Sequence, residues 1–404
     1  GSGWKLIHSY IFNFYHYVGL DRSVRLYTTP QVYISDVSVL TSIQNTTGNV
    51  SVAGLEEGED DLTLSVSLYD KEGELAASSS GQEGLLEVPD ANLWWPYLMD
   101  PNPGYLYTLE VIVSGQVKDV YRVKIGIRTI SCTNTTLLIN DKPFYFRGFG
   151  KHEDSDFRGR GYDESVLVKD YNVIKWIGGN GYRTSNYPPS EEFLDYADQL
   201  GIVVIDECPI ANARMWKLPP QRNMFFSRFL TNGLLRNHKT SLSELIKRDK
   251  NHPSVIMWSL ASGATTDLNN TASYFEQLVG HVKSLDSSRP ITAAISVDVK
   301  SDKANEVVHL RIAREHKPWT TLINFWTKAD RAPFVASVNG AAPLAQFLDI
   351  IGINLYTGWE SNLAMFDIIR DEVVSYVQAF HDVHNKPFLF MEYGADTYTG
   401  LHVV

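Results

Sequence analysis

Two cysteines in 404 residues, Cys132 and Cys208, are too few for a disulfide framework. The expectation is two buried thiols acting as small apolar fillers. No apolar run reaches the ~18 residues that a membrane-spanning helix requires, and the opening Gly1-Ser2-Gly3-Trp4-Lys5 has no signal-peptide pattern. Excess basic charge is lacking as well: 36 Lys and Arg face 47 Asp and Glu, for a net charge of −11. That balance argues against nucleic acid or an anionic membrane as partner. An anionic ligand would need a local basic pocket. Metal-type spacing is also missing. His152-Glu153-Asp154 are three adjacent side chains that rarely converge on one ion, and no second ligand group stands at zinc-like spacing, so neither a metal nor a cofactor is expected.

What is present is a globular composition long enough for two or three domains. Up to about residue 130, short segments such as Ser23 to Tyr27, Leu62 to Leu68 and Tyr107 to Val113 alternate apolar with polar between Gly and Asp turns, which predicts a β-sandwich. From residue 144 short apolar strands alternate with amphipathic helices, the mark of parallel βα units. Strands are predicted at Phe144 to Gly150, Gly181 to Ser185, Ile202 to Asp206, Ser254 to Leu260, Ile291 to Ile295, Phe347 to Asn354 and Pro387 to Glu392. Helices are predicted at Ser165 to Ile177, Ser190 to Leu200, Leu242 to Asp249, Ala272 to Leu285 and Phe366 to Asn385. The pattern is that of a TIM (β/α)8 barrel, with its site at the C-terminal strand ends. The count of seven leaves it incomplete, with unpaired edges on its first and seventh strands and low stability as the expectation. A run of about 40 residues near 305–342 breaks the pattern and reads as an insertion rather than a binding loop.

The chemistry-bearing residues cluster at strand ends. Glu392 closes the apolar strand Pro387 to Met391, an expensive place for a carboxylate without a use. Leu93-Trp94-Trp95-Pro96-Tyr97, Gly126-Ile127-Arg128, Phe146-Arg147-Gly148, Lys151-His152-Glu153-Asp154, Arg183-Thr184-Ser185, Val204 to Pro209, Asn251 to Ala264 and Pro387 to Asp396 follow in order along the chain. In that order and spacing they resemble the animal β-glucuronidases of glycoside hydrolase family 2.

The resemblance implies three parts: residues 1–30 as the end of a jelly-roll sugar-binding domain, 31–130 as an immunoglobulin-like β-sandwich, and 131–404 as the catalytic barrel without its last βα unit. It implies retaining hydrolysis of terminal β-D-glucuronosyl residues of glycans or glucuronide conjugates. A retaining glycosidase needs two carboxyl groups ~5 Å apart, one nucleophile and one acid/base. Glu392 matches the nucleophile. The acid/base falls on Gly263, flanked by Ser262 and Ala264 where the family has Asn-Glu-Pro, so activity is expected to be impaired. Asp267 is the nearest carboxylate in sequence and would need a loop rearrangement to substitute. By the same resemblance Arg183 steadies the nucleophile, Tyr356 touches it, and Asn186 stands where the family has His. His152, Asp206 and Trp258 complete the expected substrate site, with Trp359 as a further candidate for sugar stacking.

Sequons at Asn45, Asn49, Asn134 and Asn269 suit a glycoprotein of the lysosome or the extracellular space. The implied partners are a glucuronide or glycosaminoglycan-type carbohydrate and further copies of the chain in a homotetramer. Two rivals remain: a pseudoenzyme that binds a glycan or scaffolds another protein, and an incomplete splice product or fragment without independent function.

Overall fold

The computed structural model describes residues 17, 19–57, 63–80, 84–115, 118–210, 230–264, 269–296, 344–358 and 366–395. The run near 305–342, Asp267 and Trp359 lie outside these residues.

Seven antiparallel strands form the predicted sandwich: β1 (Tyr33–Gln44), β2 (Thr47–Glu57), β3 (Thr63–Tyr69), β4 (Leu75–Ser80), β5 (Gly84–Val88), β6 (Tyr107–Ser114) and β7 (Lys118–Ile125). They pair as β1-β2-β5 and β4-β3-β6-β7. Alternation does the sorting. Leu64, Val66 and Leu68 of β3 and Leu109, Val111 and Val113 of β6 meet Val50, Val52, Leu86 and Val88 of the facing sheet in one core. Ser23 to Tyr27 alternates as well but forms no strand. Its Val24 and Leu26 stay exposed, since alternation alone gives no structure without a face to bury against.

The sequons divide on placement. Asn45 is exposed in the β1–β2 turn with φ 57, a left-handed conformation that Asn tolerates. Asn49, expected in a loop, lies half-buried inside β2, opposite Ser42 and Glu87. Asn134 is exposed. Of the two thiols only Cys208 is buried; Cys132, on the short strand β8 (Ile130–Cys132), is exposed, contrary to the expectation for it.

β8 pairs with β9 (Leu137–Ile139), and β9 with β10 (Lys142–Phe144). That small sheet takes up Phe144, which the sequence reading gave to the first barrel strand. The barrel strands are β11 (Gly148–Gly150), β12 (Gly181–Arg183), β13 (Val203–Glu207), β14 (Val255–Ala264), β15 (Ile291–Ser296), β16 (Ile351–Asn354) and β17 (Phe388–Glu392), all parallel and in chain order. The sheet curls until β11 and β17 approach one another, although no ladder joins them among the described residues. The gap expected between the first and seventh strands is thereby nearly closed.

Helices α1 (Glu164–Trp176), α2 (Glu191–Leu200), α3 (Asn232–Asp249), α4 (Asn269–Leu285) and α5 (Phe366–His384) accompany the barrel strands. In α1 the Asp163 carboxylate caps the N–H groups of Ser165 and Val166, while Leu167, Tyr171 and Ile174 form the buried stripe. α3 starts ten residues before the predicted Leu242, capped by Thr231. Its first turns bring Leu234 and Leu235 onto the core, but the next buried position before Leu242 is the polar His238, which interrupts the apolar period that would announce the helix. None of the described helices is long and apolar enough to cross a membrane.

Sandwich and barrel are joined at the N-terminal ends of the barrel strands. The Asn251 amide completes the exposed edge of β1, donating to Val37 O at 2.8 Å and accepting from Val39 N at 3.0 Å. Lys250 pairs with Asp36 beside it. Buried Arg128 donates from Nε to Pro253 O at 2.6 Å and from Nη2 to Val255 O at 2.9 Å. Arg128→Ala would leave the Pro253 carbonyl unmatched at ~1–3 kcal/mol, while Val255 O keeps its bond from Arg289 Nε at 2.6 Å. A loss of about 2 kcal/mol in denaturant unfolding is the expected outcome, and a loss under ~0.5 kcal/mol would refute it.

His252 Nδ1 sits 2.6 Å from buried Asp198, with exposed Asp195 at 4.0 Å. Burial by itself would lower the imidazole pKa, but the Asp198 carboxylate outweighs it and raises the pKa to about 9. With an unfolded value of ~6.5, the pair stabilises the fold fully below pH ~6.5, and that contribution disappears as pH rises to about 9. Thermal melts should therefore drop across that window by an amount on the order of 3 kcal/mol, and His252→Gln should flatten the profile. The same three side chains are close enough to hold a cation, but a protonated His252 is committed to its carboxylate partner and offers no lone pair.

Candidate active site

Strand alternation sorts the barrel residues into two populations. Tyr182, Val204, Trp258, Leu260, Ile291, Ala293, Ile295, Ile351 and Ile353 pack toward the helices in one core, whereas Val203, Ile205, Met257, Ala294 and Met391 share another inside the barrel. Arg183 follows Tyr182 and turns inward. Glu207 lies two places beyond inward Ile205 and does the same.

Glu392 breaks the alternation. Inward Met391 should be followed by an outward residue, but the pairing of β16 with β17 passes from Ile353↔Phe390 to Asn354↔Glu392. One extra residue on β17 makes a bulge, which re-aims the carboxylate into the barrel mouth. There the Arg183 guanidinium donates to Oε1 and the Tyr356 hydroxyl to Oε2. Tyr356 is delivered by the end of β16, where Leu355 N donates to Glu392 O at 3.0 Å. A carboxylate with both oxygens engaged by donors is fixed in orientation, as a nucleophile must be.

Arg183, 2% exposed, reaches a second carboxylate, with Nη1 3.4 Å from Glu207 Oε2. Glu207 is fully buried and accepts from Ser259 Oγ at 2.8 Å and from the Asn186 backbone N–H at 3.0 Å. Burial pushes its carboxyl above the usual range, opposed first by the Arg183 charge. Asn186 is therefore tied by its backbone, in a left-handed conformation with φ 69. Its side chain contacts Ser185 Oγ at 3.5 Å. His152 lies near this group and stacks at a tilt on Tyr187, ring centres 5.8 Å apart. Burial lowers its pKa, leaving a neutral imidazole at neutral pH.

β14 ends in Ser262, Gly263 and Ala264. Ser262 N donates to Ile210 O at 3.1 Å, and the register with β15 shifts on both sides of Ser262. Gly263 has φ 67, a left-handed conformation that favours glycine.

Two expected site residues are placed elsewhere. Trp258 is fully buried and points to the helix layer, its indole N–H donating to Asp286 at 2.9 Å with the Arg289 guanidinium over its ring. A register shift between β13 and β14 near Met257 turns it outward, so it has no face for sugar stacking. Asp206 also points outward, accepting from Thr184 Oγ1 at 3.2 Å and lying against Asp249 of α3. Burial together with the neighbouring Asp249 carboxylate holds Asp206 well above its ordinary pKa, and the two form a structural pair behind the strand. The inward residue of that dipeptide is Glu207. The sequence offers both as a positioning pair at the end of the third strand, and a period of two counted from Ile205 separates them.

A carboxylate clamped by Arg and Tyr at the C-terminal mouth of a parallel barrel stands where barrel enzymes carry their site. Residues 32–128 match glycosyl hydrolases family 2, and residues 130–317 match that family's TIM barrel domain. The β-glucuronidase of Mus musculus is 40% identical over 394 residues, spanning 97% of this chain and 53% of the relative. That of Homo sapiens is 37% identical over 406 residues, 99% of this chain and 54% of the relative. Among solved structures, β-D-glucuronidase of Dictyoglomus thermophilum superposes with TM-score 0.76 at 35% identity, covering 93% of this chain and 56% of the other. β-Glucuronidase of Ruminococcus gnavus in complex with D-glucuronic acid gives 0.70 at 31% identity, covering 93% and 55%. The chain thus belongs to glycosyl hydrolase family 2, on its β-glucuronidase-like branch, and spans about half the length of these relatives.

Proposed function

We propose that the chain accommodates a terminal β-D-glucuronosyl group with its anomeric carbon at Glu392 and forms a covalent glycosyl-enzyme there, while protonating ordinary leaving groups poorly. The observation that carries this reading is the joint grip of Arg183 and Tyr356 on both oxygens of Glu392. The sugar assignment draws on the relatives, one of which is solved with D-glucuronic acid bound. His152, at the first strand's end, and Asn186, beside the second, stand where they could meet its hydroxyls. Weak hydrolysis follows from Gly263, because general acid/base catalysis is typically worth ~10²–10⁴-fold in rate.

The same reading takes residues 31–130 as an immunoglobulin-like accessory domain and residues 1–30 as the end of a sugar-binding jelly roll. It places the protein in the lysosome or outside the cell, as a glycoprotein carrying glycans at Asn45 and Asn134, where both side chains are exposed. A homotetramer is part of the proposal.

A fluorinated glucuronosyl fluoride needs no acid catalysis and tests the nucleophile. One equivalent of label on the peptide ending in Glu392, absent from Glu392→Gln, is the expected outcome. A folded chain that takes up no label would overturn the reading and leave a glycan-binding pseudoenzyme, which the loss of side-chain chemistry at Gly263 would then favour.

A further inference from the structure

We propose that the joint between sandwich and barrel binds one small inorganic oxyanion of the sulfate or phosphate class. The inference is independent of the reading of Glu392.

A cavity of about 170 Å³ opens where β1, the link from β7 to β8 and the turns that precede β14 and β15 meet. Arg128, Thr129, Lys250 and Arg289 line it. It lies at the N-terminal ends of the barrel strands, away from the mouth that holds Glu392. The space is well below the ~300 Å³ of a pocket for an organic ligand. A tetrahedral ion with a few waters, each taking ~30 Å³, fits it.

Free donors outnumber free acceptors around this space. Arg128 is 6% exposed and carries five N–H groups on its guanidinium. Nε is engaged by Pro253 O and one Nη2 hydrogen by Val255 O, an acceptor already shared with Arg289 Nε. The remaining three hydrogens meet no acceptor among the described residues. Thr129 Oγ1 is buried and likewise has no partner among the described residues. The Lys250 ammonium commits two of its three N–H groups, to Asp36 and Ser38.

The charges point the same way. Asp286 is held by Arg289, Asp36 by Lys250 and Asp198 by His252, while no carboxylate pairs with Arg128 among the described residues. Burial, followed by the Arg289 charge, pushes the Arg128 pKa well below its ordinary value. A guanidinium buried without a counterion is unfavourable, and a bound anion would offset that penalty. The planar fork of Arg suits an oxyanion, which accepts two of its N–H groups at once. With donors on Arg128, Thr129 and Lys250, a tetrahedral ion can give an oxygen to each and turn the fourth to the opening. A carboxylate has only two. The bound ion would tie the sandwich to the barrel.

Equilibrium dialysis of the intact chain with radiolabelled sulfate or phosphate, in excess chloride so that only an oxyanion-selective site registers, reads the proposal directly. One ion per chain with half-saturation at or below ~1 mM is the expected outcome. Thr129→Val and Lys250→Met each remove one donor and should weaken binding about tenfold, as for a hydrogen bond to a charged group. Arg128→Gln should abolish binding, and the two milder variants keep the test decisive if that chain does not fold. Millimolar sulfate should raise the melting temperature of the unaltered chain more than that of Thr129→Val, which separates bound ion from the general salt effect. No saturable binding, or binding that both Thr129→Val and Lys250→Met leave unchanged, would mean an adventitious ion only and overturn the proposal. Competition by glucosamine 6-sulfate would overturn the assignment to a free ion, because a cavity of this size has no room for the sugar.

Discussion

A chain carrying Gly263→Glu together with Ser262→Asn is expected to hydrolyse unactivated alkyl glucuronides ~10²–10⁴-fold faster than the unaltered chain, the range that a general acid/base supplies. The gain in the bond-breaking step should shrink steeply along a series of better leaving groups, whose departure needs no proton, while the gain in breakdown of the glycosyl-enzyme, where the new carboxyl acts as base, should persist. The pH profile should change with it, acquiring a basic limb that belongs to the new carboxyl acting as acid. The restoration has a structural cost. Position 263 has φ 67, where any residue with a Cβ is strained by roughly 1–2 kcal/mol, and the register shifts around Ser262 must relax with it. The variant should therefore unfold at lower denaturant than its parent even as activity rises. A restored chain that melts as the parent does and shows no rate increase for methyl glucuronide would refute both the assignment of position 263 and the account of its backbone.

Arg183→Met is expected to have the largest combined effect of any single change. The guanidinium is buried between two carboxylates, contacting Glu392 on one side and Glu207 on the other. Removing one member of a buried ionic group leaves the remaining charge uncompensated, at ~3–5 kcal/mol. Glu207, already pushed upward by burial, would then take up a proton. Labelling of Glu392 should fall by at least two orders of magnitude in whatever fraction remains folded, because the nucleophile loses both a charge partner and a fixed position. Arg183→Lys should recover little, since an ammonium cannot present a planar fork to two acceptors. Adding Glu207→Gln to Arg183→Met should restore stability without restoring labelling. A double variant no more stable than the single would show that Glu207 does not depend on this partner.

The sequence by itself determined the architecture. Alternation in β3 and β6, the βα rhythm after residue 144, and the ordered motifs from Trp94 to Glu392 were enough for a sandwich, a barrel and a family, because burial enforces a period of two in strands and 3.6 in helices. It also determined that Glu392 stands at a strand end and that no carboxylate stands at position 263. Which side chains face the reacting carbon was decided only in three dimensions. A single extra residue in a strand reverses every orientation beyond it. One such shift turns Glu392 into the mouth, another turns Trp258 out among the helices, and an undisturbed period makes Glu207 rather than Asp206 the inward carboxylate. The near-closure of seven strands has the same origin. Sheet curvature accumulates over all the pairings and is written in no one segment, so the approach of β11 to β17 becomes visible only when the barrel is assembled.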